Sequence, residues 1–209
     1  MGDRSRRPKG SAKRVPQQGA IQSRPLPPIR DNPMTPPYLD MLLDAVRRPQ
    51  ERLLRTMDGL SLAQLNALPV AASAPTIKSI GWLVWHTARE QDLQIAALAG
   101  TEALWTRDGW NHRFAFDLPD DTEDWRHSPA EAAQVIIRDA ALLRDYLAAA
   151  TQAVIDYLQQ LPPDALPDII DRRWNPPVSR AVRLISIIDD AAMHSGQAVY
   201  VRRLLGLTD

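Results

Sequence analysis

Three side chains in this sequence could hold one divalent metal ion. His86 lies in the segment SIGWLVWHTAREQD (79–92), and Asp190 and His194 lie in the segment DDAAMHSGQ (189–197). If both segments are helices, Asp190 and His194 are four residues apart and lie on one face, one turn from each other. His86 would complete a three-ligand site if it faced this pair across a helical bundle.

A set of three protein ligands favours a catalytic rather than a structural metal site. Catalytic sites hold the metal with three protein ligands and keep a position open, whereas structural sites are closed by four. Histidine and aspartate suit zinc, nickel, iron(II) or manganese, and the absence of cysteine excludes thiolate ligands, disulfides and a cysteine nucleophile. The spacing also fits hydrogen-bonded histidines at the edge of the core. Asp189 is the obvious substitute ligand, although it points about 100° away from Asp190 around a helix.

Helices must position these residues. Ser79 is a suitable N-cap, and the helix after it should end near Gly100. His86 falls at the edge of its apolar face. The last helix should begin near Ser179 and run almost to the C-terminus. We expect its core stripe to contain Val182, Ile185, Asp189 or Asp190, Met193, Gln197, Val199 or Tyr200, and Leu204.

Two further principal helices are expected. The first begins near Tyr38 and should break or kink near Arg48, because Pro49 cannot donate a helical hydrogen bond, so its main part would be 49–58. Ser61 should cap a short turn over 62–68, and 70–75 should be a loop. The capping sequence at Ser128 predicts a helix over about 128–161. Segments 105–125 and 171–177 should be irregular, the first as a cover over a substrate. No strand is expected, so we predict an all-α four-helix bundle with long loops.

Composition limits the function classes. The chain has 209 residues, a formal net charge of zero and no apolar run long enough to span a membrane. Residues 1–34 are basic and rich in proline, which predicts a disordered tail before a domain over 35–209. The tail could be a solvated extension, the product of an upstream translation start or a weak contact to a polyanion. Because the folded part is acidic, nucleic-acid binding is not expected. The lack of cysteine agrees with a cytoplasmic location.

Three sequence motifs resemble those of the DinB superfamily. They are WLVWH (82–86), RRWNPPV (172–178) and DDAAMHSGQAVYVR (189–202). The likeness covers about 38–206 and is greatest to an actinobacterial branch related to mycothiol-dependent S-transferases. It implies an antiparallel four-helix bundle in up-up-down-down order, commonly a homodimer. Many members have a histidine where this chain has Asp190, but related thiol-dependent isomerases carry a carboxylate there.

The resemblance also implies a chemistry. His86, Asp190 and His194 would hold a divalent metal, most simply zinc, with nickel or iron as alternatives. The metal would activate a low-molecular-weight thiol such as mycothiol for attack on an electrophilic small molecule. Gln197 and Arg89 are the candidates for a catalytic contact, and Arg172, Arg173 and Trp174 could bind the thiol cofactor.

Two other functions stay open. One is a non-catalytic bundle that binds a metal or an apolar ligand in a stress response. The other is a structural homodimer whose metal residues no longer act.

Overall fold

A computed structural model describes residues 36–69 and 77–208. Four long helices form the domain: α1 (Pro37–Met57), α3 (Ile80–Ala99), α7 (Ala140–Gln160) and α8 (Arg180–Leu204). Shorter helices are α2 (Leu62–Asn66), α4 (Leu104–Arg107), α5 (Trp110–Phe114) and α6 (Pro129–Ala132), with 3₁₀ turns at Asp124–Arg126 and Pro163–Ala165. Strands β1 (Ile169–Asp171) and β2 (Val178–Ser179) pair antiparallel. The all-α four-helix bundle is confirmed. The predicted tail and the loop at 70–75 lie outside the described residues.

Helix α3 is the central helix of the bundle. It packs against α7 and α8, and α1 packs against the same two helices. Fourteen of its residues are buried, so α3 is enclosed on almost every side by the rest of the domain. The side chain of Ser79 accepts a hydrogen bond from Trp82 N, and Gly100 ends the helix with φ 68°. Both predicted boundaries are confirmed.

The direction of the helices differs from the expected up-up-down-down order. Arg52 bonds Ser195 and Thr56 O accepts from Arg202, so α1 and α8 run parallel. By contrast, α3 runs antiparallel to α8, since His86 meets His194 while Gln94 meets Arg183 eleven residues earlier. Helices α3 and α7 run parallel, because Leu83 and Leu143, near their starts, belong to one core cluster, and Ile95 and Ile155, further along, belong to another. In chain order the helices therefore run up, down, down, up, and the long segment 100–139 returns the chain to the start of α7.

The expected break at Pro49 is wrong. Helix α1 continues through Pro49, which is buried. Leu43 and Val46 precede the proline, Leu53 follows it, and all three are buried in the core. Packing on both sides of Pro49 therefore holds one continuous helix at the cost of one backbone hydrogen bond.

The single helix expected over 128–161 is also wrong. The capping box at Ser128 is present, but α6 stops at Ala132, and Asp139 caps α7 by accepting from Ala141 N and Leu142 N. The segment between α6 and α7 is held by a residue that is far away in the sequence. The side chain of Asn66 donates a hydrogen bond to Ile137 O and accepts one from Ile137 N. These two bonds replace helical partners and fix the buried Ile137 in the core.

The core stripe predicted for α8 is on the wrong face. Val182, Ile185, Met193 and Tyr200 are each more than half exposed. The buried residues are Leu184, Ile187, Ala191, Ser195, Ala198 and Val201. Helix α8 therefore carries two apolar stripes on opposite sides, and only one packs in the bundle.

The expected absence of strands is corrected by the hairpin of β1 and β2, which encloses most of the predicted irregular loop 171–177. Leu166 O and Asp168 O accept from the first residues of α8, so the hairpin leads directly into that helix. Among the described residues, no helix has the length and apolar character needed to cross a membrane.

Candidate metal centre

The three predicted ligands meet where α3 and α8 face each other. His86 Nε2 lies 3.1 Å from His194 Nε2, and His194 Nε2 lies 3.3 Å from Asp190 Oδ1. Ligand atoms of all three residues lie within 4.8 Å of one another. His86 is buried, while His194 and Asp190 are partly exposed. The antiparallel packing of α3 and α8 thus brings together residues that are 108 positions apart.

Asp124, which the sequence did not single out, fixes the orientation of His86. Its Oδ2 lies 2.8 Å from His86 Nδ1, and both side chains are almost fully buried. A carboxylate accepts hydrogen bonds, so neutral His86 carries its proton on Nδ1 and directs the lone pair of Nε2 toward His194. This carboxylate–histidine arrangement is typical of residues that hold a metal ligand in place.

Gln197 has the corresponding position beside His194. Its Oε1 lies 2.8 Å from His194 Nδ1 and accepts a hydrogen bond from the N–H of that nitrogen. Neutral His194 therefore also presents a lone pair on Nε2. Two imidazole lone pairs and the Asp190 carboxylate then converge with no hydrogen between them. A divalent cation fits this donor set, since each atom offers electrons and none offers a proton.

Without a cation, a proton can satisfy the same three atoms. Burial lowers the pKa of His194, but the hydrogen bond and charge of Asp190, the contact with Gln197 and the charge of Glu90 outweigh it, so the pKa is raised. Protonated His194 donates from Nε2 toward Asp190. Proton and metal therefore compete for one place.

Glu90 forms a second cluster with His86. Ligand atoms of His86, Glu90 and Asp124 also lie within 4.8 Å of one another, and Gln94 Nε2 donates to Glu90 Oε2 at 3.0 Å. Burial, assisted by the charges of Asp124 and Asp190, raises the pKa of Glu90 to about 7. Glu90 follows His86 by one helical turn. That spacing was visible in the sequence and could have identified it.

Arg89 contacts the segment that carries Asp124. It is buried between the rings of Trp85 and Trp105, 5.8 Å and 4.9 Å from their centroids. Its Nη2 donates to Asp120 O at 2.7 Å, and its Nε lies 3.7 Å from Asp124 Oδ1. Arg89 therefore holds the segment that carries Asp124 against α3.

A groove of about 1030 Å³, lined by charged, aromatic and aliphatic side chains, opens beside Glu90. We call it the Glu90 groove. It is bounded by Glu90, Gln94, Trp125, Trp174, Arg180 and Arg183, together with the hairpin residues Arg172 and Arg173. The Trp125 and Trp174 side chains are mostly exposed. Arg173 forms an ion pair with Asp171, with Nη2 2.8 Å from Oδ2. The three predicted thiol-binding residues therefore share one groove with Glu90, which lies one helical turn after His86.

The remaining candidates lie away from the cluster or are held by other partners. His112 and Asp189 are exposed. His127 accepts from Trp82 Nε1 at 3.3 Å and bonds the hydroxyl of Thr122 at 2.8 Å. Trp82, Trp85 and Trp110 are buried, whereas Trp174 borders the Glu90 groove. The segment expected to cover a substrate contributes Trp105 and Phe114 to the core as well.

Comparison with known proteins places the chain in a family. The model of the DinB superfamily matches residues 27–198, which is most of the chain. The chain belongs to the DinB superfamily. A similar solved structure is described as "Crystal structure of the conserved protein of locus from Enterococcus faecalis". It has 49% sequence identity and a TM-score of 0.75, and the alignment covers 79% of this chain and 95% of that one. No curated protein matches the chain. The actinobacterial branch stays a prediction.

Proposed function

We propose that this DinB superfamily protein holds a divalent metal through His86, Asp190 and His194 and uses it for thiol transfer. The observation that supports the metal is the convergence of three lone-pair donors whose orientation Asp124 and Gln197 determine. With three protein ligands, a coordination position stays open for a reactant. Zinc suits the set, and nickel or iron(II) also fit it.

The chemistry that such a cation supplies is a lower pKa for a thiol, so that the thiol reacts as a thiolate at neutral pH. The chain provides the rest. Trp125 and Trp174 offer exposed aromatic faces, and Arg172 and Arg183 offer guanidinium groups, along the Glu90 groove. Such groups suit a polar, sugar-bearing thiol of the mycothiol kind. The thiol proton passes to solvent, and the sulfur forms a bond to the electrophilic carbon, whose leaving group departs with its electron pair.

Metal content is the first test. Purified protein, and protein reconstituted with zinc, nickel or iron(II), is measured by elemental mass spectrometry for wild type, His86→Ala and His112→Ala. We expect about one equivalent of metal in wild type and in the control at the exposed His112, and its loss in His86→Ala. Absence of metal from reconstituted wild type would refute the proposed centre.

Thiol transfer is tested on the metal-loaded protein with mycothiol and monobromobimane, following the fluorescent thioether. Trp174→Ala should raise KM for the thiol and leave zinc affinity unchanged, because Trp174 lies in the groove and outside the ligand set. Metal binding without turnover by any electrophile would support the non-catalytic alternative. The homodimer, the cytoplasmic location and the absence of a nucleic-acid partner stay predictions, and sedimentation analysis measures the first.

A further inference from the structure

Gly196 has no structural reason to be glycine. It lies inside helix α8, its φ is not in the left-handed region, and an added Cβ would meet no described atom within 4 Å. A glycine in a helix interior costs about 1 kcal/mol relative to alanine. Neither the backbone nor the packing of the bundle requires that cost. Gly196 is exposed and borders, together with His194, a space at the surface of α3 and α8.

That space is a cavity of about 630 Å³, which we call the His194 pocket. It is bounded by Trp82 and Leu83 on α3 and by His194, Gly196, Val201 and Leu204 on α8. Its lining is mainly apolar apart from His194, Gln197 and Lys78. Trp82 precedes His86 by one turn of α3, and Glu90 follows it by one turn. The pocket and the Glu90 groove therefore approach the metal cluster from two sides of His86.

Lys78 supplies the positive charge of the pocket. Its Nζ lies 5.3 Å from the centroid of Trp82 and donates to His127 O at 3.4 Å. An ammonium group has three donors, and no carboxylate of the described residues forms an ion pair with Lys78. Two donors stay available for a carboxylate that enters the pocket.

We propose that the His194 pocket binds an apolar small molecule that carries a carboxylate, with Lys78 on the carboxylate and Trp82, Leu83 and Leu204 on the apolar part. This rests on the proposed function in one respect: the bound molecule is the electrophile of the thiol transfer. The thiol then enters through the Glu90 groove and the electrophile through the His194 pocket. A competing explanation for a glycine at position 196 is that it lets helix α8 of a second copy of the chain approach closely. Met193 and Tyr200 on the same helix are exposed and could form such a contact.

The test is calorimetric titration of zinc-loaded protein with 2-naphthoate and with its neutral analogue 2-naphthamide. Wild type should bind naphthoate about tenfold more tightly than naphthamide, because a charge-assisted hydrogen bond is lost with the amide. Lys78→Met should remove that preference. Gly196→Phe should weaken both ligands at least tenfold by filling the pocket. Ala192→Phe, one turn earlier on the exposed side of α8, is the matched control and should bind as wild type does.

Three results would overturn the proposal: no naphthoate binding by wild type, equal binding by Gly196→Phe, or a wild-type dimer that both phenylalanine variants dissociate in sedimentation analysis. The last result would assign the surface to a second copy. Binding by His86→Ala separates the two hypotheses. If His86→Ala loses the metal and still binds naphthoate, the pocket is supported independently of the metal centre. Normal zinc binding without naphthoate binding refutes the pocket alone.

Discussion

Asp124→Asn tests whether the carboxylate behind His86 organises the metal centre. The substitution keeps the size of the side chain and removes its charge. Asp124 is buried, bonds His86 Nδ1 at 2.8 Å and lies 3.7 Å from Arg89 Nε. Asparagine can present either an oxygen or an NH₂ group to His86, so the proton on Nδ1 is no longer required. Arg89 becomes a buried cation without its carboxylate.

The substitution should lower both the stability of the fold and the affinity for the metal. Breaking a buried ion pair from one side costs about 3–5 kcal/mol. Arg89 keeps the carbonyl oxygens of Asp120 and Thr122 and the faces of two indole rings, so we expect the lower end, about 3 kcal/mol. Loss of a group that orients a metal ligand weakens metal affinity about 10–100-fold. That range corresponds to about 1.4–2.7 kcal/mol at 1.36 kcal/mol per tenfold.

Urea unfolding of the metal-free protein measures the stability loss, and competition with a chromophoric chelator measures zinc affinity. The matched control is Glu123→Gln, one residue earlier. Glu123 is exposed and pairs with Arg126 at 3.3 Å, and such surface pairs contribute about 0–1 kcal/mol. The control should bind zinc as wild type does. If Asp124→Asn binds zinc with unchanged affinity, the role assigned to Asp124 in orienting His86 is refuted.

Three other predictions concern the same helices. Gly81→Ala should destabilise the protein by about 1–3 kcal/mol, because its Cβ would lie 2.6 Å from Ile137 Cγ1 and 3.1 Å from Leu65 O; a urea midpoint at or above that of wild type would contradict this. Gly196→Ala should instead raise the free energy of unfolding by about 1 kcal/mol in the same assay, and a loss would show that this position packs against something. Zinc affinity should fall about tenfold per pH unit below the raised pKa of His194, since the proton must leave before the metal binds; chelator competition across pH would show no slope if His194 were not a ligand.

The ends of the elements that carry the site could be predicted from local sequence. Ser79, Gly100 and Ser179 mark helix ends through hydrogen bonds that span three or four residues. The spacing of Asp190 and His194 also acts within one turn of a helix. Long-range features could not be predicted this way. Asp124 lies 38 residues from His86 in an aperiodic segment, so no local pattern connects them.

The error on α8 has a physical cause. Its sequence carries one apolar stripe through Val182, Ile185, Met193 and Tyr200 and a second through Leu184, Ile187, Ala191 and Val201. Periodicity measures the spacing of apolar residues and does not say which stripe faces the bundle. The break before α7 has a similar origin, because it depends on bonds between Asn66 and Ile137 across 71 positions.

The burial of α3 determines how reactants can approach His86. Helices α7 and α8 cover α3 laterally, and the segment that carries Asp124 and Trp105 covers another part of it. One cavity is bounded by Trp82 and His194 and another by Glu90, and Trp82 and Glu90 lie one turn before and one turn after His86 on the same helix. They differ in character, since arginine and exposed tryptophan border one and aliphatic side chains border the other. A site with two unlike openings toward one histidine suits a reaction that joins a polar and an apolar molecule. The proposed thiol transfer between a polar thiol and an apolar electrophile is a reaction of that kind.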